Sequence, residues 1–311
     1  MSNEAKGITL AIVSGASFGL IPLFTIPVIN VGMGYSSIIF YRFLFGSLTM
    51  LAMMLWRQQS LRLTWSDAWR ISILSIIYIV CAATLFASYK YISSGISTSL
   101  IYTNPIWCAL IGVLFLNERL SWKLALTIAM AFLGVVMLSG VFTGSNVYTA
   151  FGLMLGLCSG IGYGIYLVVL PRLRLKKMPS IKFTFYIFFI ALLLLLPCSY
   201  IFEDGIESIP NAECWMHLAL VGLLPTAFSN ICVTMALRLI DTTVVAVLGA
   251  FEPLTAMVIG ILVLHEPFDA FTIMGGALVI ASVTILTLSS KKKSGNAKTN
   301  DEMGKNGNIT E

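Results

Sequence analysis

The segment NPIWCALIGVLFLNE at residues 104–118 recurs without a gap as EPLTAMVIGILVLHE at residues 252–266. The two copies lie 148 residues apart and are identical at six positions, three of which are not aliphatic: Pro105 and Pro253, Gly112 and Gly260, Glu118 and Glu266. Apolar residues match by chance in any hydrophobic chain, but hydrophobicity alone does not keep proline, glycine and glutamate in register. The pair of segments therefore indicates an internal duplication.

A second match links the N-terminal segment with the middle of the chain, 145 residues further on. It consists of small residues spaced by four: Gly7, Ala11, Gly15 and Gly19 fall on Gly152, Gly156, Gly160 and Gly164. This spacing places the small residues on one stripe of a helix, where a neighbouring backbone can approach closely within a membrane. We interpret both segments as helices whose stripes serve packing or gating.

The composition shows what class of protein carries this duplication. Of 311 residues, 58% are hydrophobic and 11% are charged, whereas about 25% of a soluble domain is charged. Charge-free runs of about 20 residues can cross a bilayer as helices and lack the alternation of membrane barrel strands. We predict an all-α polytopic membrane protein with ten transmembrane helices, near residues 7–28, 37–56, 69–89, 96–117, 122–142, 149–170, 183–202, 214–237, 243–264 and 269–290.

The distribution of basic residues predicts the orientation, because ten crossings place both termini on one side of the membrane. If that side is cytoplasmic, the lysines and arginines lie at cytoplasmic ends except Arg42 and Lys90, as the positive-inside rule expects. We predict a multi-pass protein of the cell inner (plasma) membrane with cytoplasmic termini. The tail at residues 291–311 is predicted to be basic and disordered, and the net charge of +5 does not indicate nucleic-acid binding.

The duplication divides the chain into a first five-helix repeat at residues 1–142 and a second at residues 149–290. An odd number of spans in each repeat means that the second repeat enters the membrane from the opposite side. The predicted architecture is therefore two inverted five-helix repeats. Many secondary transporters have this architecture, with the substrate site near the midplane between the two halves.

The sequence also resembles a known family. The pattern Pro-x6-Gly-x-Leu-x-Leu-x-Glu occurs twice, and with ten spans and Tyr41-Arg42-Phe43 it resembles the EamA-type permeases of the drug/metabolite transporter superfamily. The resemblance implies alternating access around a cavity lined mainly by spans 1, 3, 4, 6, 8 and 9. Members export amino acids, drugs, sugars and other metabolites. Four-span multidrug members use a glutamate in their first span as the proton and cation site, and residues 7–28 contain no acidic residue, so that route is not expected here.

Glu252 is the leading candidate for a functional residue, because an ionised carboxylate at mid-depth costs roughly 2.5–3.5 kcal/mol. Pro253 follows it and is expected to kink the span and to free the carbonyl of Gly249. Asn104 and Pro105 form the equivalent pair in the other repeat, so Asn104 is a second candidate substrate contact. Two interpretations of Glu252 stay open: a substrate-amine contact or protonation switch, and a structural carboxylate that shapes the kink.

Aromatic residues in or near the predicted cavity-lining spans are further candidates for substrate binding. Packing against lipid or neighbouring helices is the commoner role of such residues in a chain with 12% aromatic residues. The candidates are Phe18, Tyr78, Tyr102, Tyr163, Tyr166 and Phe251.

Three charged residues are assigned to packing or gating. Arg42 lies near the outer end of span 2, where its long side chain can snorkel to the interface. It could attract an anionic substrate or pair with a structural partner, and we favour the structural role. Glu118 and Glu266 end spans 4 and 9 on opposite membrane faces, where a carboxylate can cap the free N–H groups of the next helix.

No metal or cofactor is predicted, because His217 and His265 are isolated and no nucleotide-binding or nucleophile motif occurs. We predict a secondary transporter, not an enzyme, with the lipid bilayer and a small-molecule substrate as partners. Export of an amino acid or related compound is favoured, and the proton is a candidate coupling ion. The alternative is a membrane-embedded structural or lipid-handling component that moves no soluble solute.

Overall fold

The computed structural model describes residues 2–115, 122–138, 149–173, 178–202, 205–240, 244–245, 248–266, 269–286 and 288. These residues form helices and connecting turns, and no strand occurs among them. The helices are α1 (Asn3–Phe18), α2 (Ile21–Asn30), α3 (Tyr35–Trp56), α4 (Trp65–Ser88), α5 (Ser94–Ile101), α6 (Asn104–Phe115), α7 (Trp122–Leu138), α8 (Ala150–Val169), α9 (Ser180–Phe202), α10 (Ala212–Val221), α11 (Ser229–Ala236), α12 (Phe251–Leu262) and α13 (Ala270–Leu286).

Seven helical segments of the described residues are long and apolar enough to cross a membrane. Four are α3, α4, α8 and α9, and three are composite: α1 with α2, α5 with α6, and α10 with α11. The shorter apolar helices α7, α12 and α13 lie where the sequence predicts spans 5, 9 and 10. The all-helical, multi-span architecture is confirmed, whereas the ten-span inverted repeat stays a prediction.

The break between α5 and α6 follows from Pro105. Proline has no N–H to donate to the carbonyl of Ile101, four residues earlier, and it disfavours helical geometry in the residue before it. The side chain of Asn104 supplies the missing donor, with its Nδ2 3.0 Å from the Ile101 oxygen. The chain therefore leaves the helix at Tyr102 and Thr103 and resumes at Asn104.

A comparable break precedes α12, where Gly249 and Ala250 form a turn. The sequence predicts that Pro253 frees the Gly249 carbonyl toward the interior, and the structure corrects this expectation. The backbone N–H of Glu252 donates to that oxygen at 2.9 Å, so the tighter turn satisfies it.

A third irregularity was not expected from the sequence, which predicts an uninterrupted span at residues 214–237. Between α10 and α11 the chain forms a π-helical stretch, Gly222–Phe228, that contains Pro225. Pro225 cannot donate to the carbonyl of Val221, and the hydroxyl of Thr226 donates to it at 2.7 Å instead. This widened turn directs Thr226 toward α3, which contacts the π-helical stretch.

Helices from the first half of the sequence pack against helices from the second half in two matching sets. Helix α1 packs against α11 and α12, and α8 packs against α4, α5 and α6. The hydroxyl of Ser14 in α1 donates to the carbonyl of Ser229 at 2.9 Å, and the hydroxyl of Ser159 in α8 donates to the carbonyl of Cys81 at 2.9 Å. The 145-residue shift places Ser14 on Ser159, and the 148-residue shift places Cys81 on Ser229. The two hydrogen bonds therefore occupy equivalent positions in the duplicated sequence.

The glycine stripes lie at the closest of these approaches. A Cβ at Gly19 would lie 2.5 Å from the carbonyl oxygen of Glu252, and one at Gly164 would lie 3.1 Å from that of Asn104. Gly15 and Gly160 face the carbonyls of Leu248 and Leu100 in the same way, at 3.1 and 2.7 Å. Each stripe therefore packs against the backbone of a broken helix, where a methyl group would not fit.

We expect Gly19→Ala and Gly164→Ala to destabilise the protein by about 1–3 kcal/mol each, because a methyl group would press on backbone atoms that cannot move aside. The measurement is the unfolding midpoint in detergent. Ala129→Val on the exposed face of α7 adds more volume and serves as the control. An unfolding midpoint for Gly19→Ala equal to that of the control would contradict the close packing.

Candidate functional site

The broken helices border a cavity in the interior of the described residues, which we call the central cavity. Its volume is about 80 Å³. Helices α1, α2, α3, α4, α5, α6, α8 and α12 contribute to it, together with the turn between α5 and α6. The lining residues are Phe18, Ile21, Arg42, Tyr78, Cys81, Ala82, Leu85, Ile101, Tyr102, Asn104, Tyr163 and Glu252.

Glu252 reaches this cavity because α12 begins only one residue before it. The turn at Gly249 and Ala250 ends in the first residues of α12, and Gly19 packs against the carbonyl of Glu252 itself. The side chain is half-buried, and among the described residues its carboxylate has neither an ion pair nor a hydrogen bond. Apart from the positive charge of Arg42 in the same cavity, a charged Glu252 therefore has only water or a ligand to solvate it.

Arg42 corrects an expectation of the sequence analysis. It does not snorkel outward: it is 3% exposed and lines the central cavity together with Glu252. Its Nε donates to the hydroxyl of Thr226 at 3.0 Å, and its guanidinium carbon lies 5.5 Å from the ring centre of Phe86. The π-helical stretch brings Thr226 to this position, which is why a straight span could not predict the contact.

Asn104 also lines the cavity, but its side-chain amide is partly committed. Its Nδ2 donates to the carbonyl of Ile101, so the amide group supports the break between α5 and α6. Asn104 thus combines a backbone contact with a position at the cavity wall. Glu252, its counterpart in the repeat, has no such backbone contact within the described part of the chain.

The structure brings most of the predicted aromatic residues together. Phe18, Tyr78, Tyr102 and Tyr163 line the central cavity, whereas Tyr166 lines an adjoining one. Phe251 lines none of the cavities described here: it is 36% exposed and its Cβ faces Gly15. Successive residues of a helix point about 100° apart, so α12 can direct Glu252 inward and Phe251 away.

Two further cavities extend the central one toward one end of the molecule. The adjoining cavity, of about 90 Å³, shares Phe18, Tyr78 and Tyr163 with the central cavity. A third cavity, of about 220 Å³, shares Thr184 and Asn230 with the adjoining one. We call the end it reaches the basic end, because its walls include Arg57 and Arg238 and Lys182 lies nearby: the Lys182 Nζ donates to the carbonyl of Arg62 at 2.7 Å.

At the opposite end, two carboxylates join segments that are distant in the sequence. Glu266 follows α12 and accepts hydrogen bonds from the N–H and the hydroxyl of Ser94, at 2.9 Å each, at the first residue of α5. Burial raises the pKa of Glu266 above its ordinary value, and the hydrogen bonds from Ser94 and the N–H of Gly95 oppose this shift. Glu207 accepts from the N–H of Gly34 at 3.0 Å. Glu118, the predicted counterpart of Glu266, lies outside the described residues.

The two histidines have different surroundings. His217 lies 3.8 Å from the carboxylate of Glu213 on the same helix, and His265 is an exposed residue after α12. In the described ranges no group of three or more His, Cys, Asp or Glu side chains could hold a metal ion.

Long apolar helices around a cavity that contains Arg42, Asn104 and Glu252 define a multi-pass helical membrane protein. The sequence model of the EamA-like transporter family matches residues 5–140 and again residues 150–288. The chain therefore belongs to the EamA-like transporter family, within the drug/metabolite transporter superfamily. Membership favours a transporter over an enzyme.

Curated relatives are named transporters, and a solved structure shares the fold. An uncharacterized transporter of Archaeoglobus fulgidus is 28% identical over 251 residues, which cover 80% of this chain and 86% of the relative. An uncharacterized transporter of Synechocystis sp. is 26% identical over 217 residues, covering 68% of this chain and 64% of that protein's length. A crystal structure of another protein has a TM-score of 0.64 at 16% identity, over 93% of this chain and 98% of that one, which indicates a shared fold.

We expect Thr226→Val to lower the stability by about 1.5–3 kcal/mol, because Arg42 loses its hydrogen-bond acceptor while staying buried. Thr84→Val is the matched control, since the Thr84 hydroxyl bonds to the carbonyl of Val80 in its own helix at 2.8 Å. The unfolding midpoints of both variants in detergent provide the measurement. Equal midpoints would show that the Arg42 contact contributes nothing.

Proposed function

We propose that the chain is a secondary transporter that exports a small metabolite, an amino acid or related zwitterion, by alternating access. The observation that carries the proposal is the central cavity, where Glu252 and Arg42 lie among aromatic side chains at two broken helices. Helix breaks expose polar groups inside a membrane only where they line a cavity or are buried in protein. Glu252 is the group that would contact a substrate ammonium, and it is also the candidate site for a coupling proton.

The matched packing of α1 and α8 supports two repeats, at residues 1–142 and 149–290, that move as halves. Both the serine contacts and the glycine approaches occur in pairs related by the two sequence shifts. Equivalent contacts of this kind are what two copies of one five-helix unit would make with each other. Ten spans in inverted orientation are the arrangement that we propose.

The basic end supports a proposal for the orientation in the membrane. Arg57, Arg62, Lys182 and Arg238 lie there, and the positive-inside rule assigns such residues to the cytoplasm. We therefore propose cytoplasmic termini in a cell inner (plasma) membrane. The three cavities, which share wall residues, then lie between the cytoplasmic end and Glu252, and this arrangement favours export of a cytoplasmic solute.

Alternating access requires the opposite end to open in turn. At that end Glu266 joins the segment after α12 to the start of α5 and Glu207 joins two loops, and we propose that these contacts close it. Release of the substrate on that side would break the contact between Glu266 and Ser94. Glu266 is therefore the residue that we propose for closing the outer end.

The transport proposal predicts counterflow in proteoliposomes. Wild-type protein should take up labelled amino acid into vesicles preloaded with unlabelled amino acid, and Glu252→Gln should lower the initial rate at least tenfold because it removes the charge that binds the ammonium. Glu213→Gln, an exposed carboxylate, is the control and should keep the wild-type rate. A pH gradient that drives uptake in wild type alone would identify the proton as the coupling ion.

Two outcomes would count against this prediction. Equal rates for Glu252→Gln and wild type would return Glu252 to a structural role. If none of the twenty amino acids exchanges through folded protein, the amino-acid assignment fails, and other solutes or the lipid-handling alternative become the better explanation.

The gating proposal predicts a change in accessibility at Cys81, which lines the central cavity. In a variant with Cys81 as its only cysteine, Glu266→Gln should raise severalfold the rate at which a membrane-impermeant thiol reagent added to intact cells modifies it. The glutamine amide lacks the negative charge that attracts the N–H groups of Ser94 and Gly95 at the start of α5. Asp67→Asn, a carboxylate in the first turn of α4 at the basic end, should leave the rate unchanged. No increase with Glu266→Gln would rule out its role in closure.

A further inference from the structure

We infer that Arg42 binds an anionic group of the transported substrate, a carboxylate, in the same cavity where Glu252 binds its cation. The inference rests on the proposed transport function and adds a second recognition group to it. The sequence favours a purely structural role for Arg42, whereas the contacts of its side chain point to a binding role.

The first observation is how the guanidinium is held. The hydroxyl of Thr226 donates its hydrogen to the carbonyl of Val221, so its lone pairs face the Nε of Arg42, which lies 3.0 Å away. The guanidinium lies over Phe86, whose side chain is fully buried. A guanidinium fixed at Nε and over one face keeps its Nη groups for a planar, two-point contact with a carboxylate.

The second observation is what the Nη groups contact. A buried arginine with a structural role usually pairs with a carboxylate or with several carbonyl groups. Among the described residues, Arg42 forms no ion pair, and the hydrogen bond that it donates comes from Nε and not from the Nη groups. The side chain nevertheless lines the central cavity, which is where a counter-charge can reach it.

The third observation is that Glu252 lines the same cavity without pairing with Arg42. Two opposite charges that stay apart in one small cavity match a ligand that carries both charges. The cavity of about 80 Å³ is well above the ~10–15 Å³ that a single water molecule needs, so it has room for a small polar ligand. A longer apolar side chain would extend past Phe18, Tyr78 and Tyr163 into the adjoining cavity.

The test compares ligands that share one side chain and differ in their charges. The probes are L-leucine, L-leucinamide, 3-methylbutylamine and 4-methylpentanoate, and the readout is the ligand concentration that gives half of the maximal rise in unfolding midpoint in detergent. Leucine suits the apolar walls of the adjoining cavity, which include Phe183, Ile187 and Phe188. For the wild type we expect leucine to act at concentrations at least tenfold lower than leucinamide or 3-methylbutylamine.

Substitutions then assign the discrimination to Arg42. Arg42→Gln should abolish the preference for leucine over leucinamide and the response to 4-methylpentanoate. Arg42→Lys should keep part of the preference for leucine and part of the response to 4-methylpentanoate, because lysine keeps the positive charge without the planar geometry. Glu252→Gln is the matched control and should lose the preference for leucine over 4-methylpentanoate while keeping that for leucine over leucinamide. Because the wild type alone tests the preference for a carboxylate, a variant that fails to fold does not decide the result.

The failures of the two proposals are distinguishable. If wild-type protein exchanges leucine in proteoliposomes but binds leucinamide as well as leucine, the role of Arg42 is wrong and the transport function stands. If 4-methylpentanoate stabilises the wild type and not Arg42→Gln while no amino acid exchanges, carboxylate binding stands and amino-acid transport is wrong. If neither leucine nor 4-methylpentanoate stabilises the wild type, the inference is overturned.

Discussion

The close approach of two glycine-rich helices to two broken helices is the contact on which the rest of the structure depends. In lipid, apolar side chains gain nothing by leaving one apolar neighbour for another, so helices associate where backbones can come close. Gly19 meets the carbonyl of Glu252, and Gly164 meets the carbonyl of Asn104. These contacts place the irregular backbone of each broken helix against protein and not against lipid, where unsatisfied N–H and C=O groups would be costly.

Satisfying the freed carbonyls shapes the site in a second way. Three prolines each remove a donor, and three nearby groups replace it: the Asn104 amide, the Glu252 N–H and the Thr226 hydroxyl. The last replacement turns Thr226 into an acceptor for Arg42. A proline in one helix thereby fixes the orientation of an arginine in another, and that arginine lines the central cavity.

The sequence predicts the parts of this arrangement that depend on periodicity and spacing. The duplicated Pro, Gly and Glu residues and the four-residue spacing of small residues indicate helices, packing stripes and breaks, and Glu252 is a candidate because charge at depth is costly. The position of Arg42 was not predictable, since depth along a span does not reveal which neighbour the residue faces. A local signal did exist, because Gly222 and Pro225 lie in the span that contacts α3. Phe251 illustrates the same limit, as neighbouring positions in one helix face different surroundings.

The two broken helices share a backbone arrangement but differ in the side chain at equivalent positions. The Asn104 side chain donates to the carbonyl of Ile101 in its own broken helix. At Glu252 the backbone N–H donates to the carbonyl of Gly249 instead, and the carboxylate faces the cavity. The contacts that hold the helices together involve glycines and main-chain atoms, and those that face the cavity involve side chains. Because the Glu252 side chain bonds to no backbone group among the described residues, this position can change while the helix break persists, and one architecture can serve different solutes.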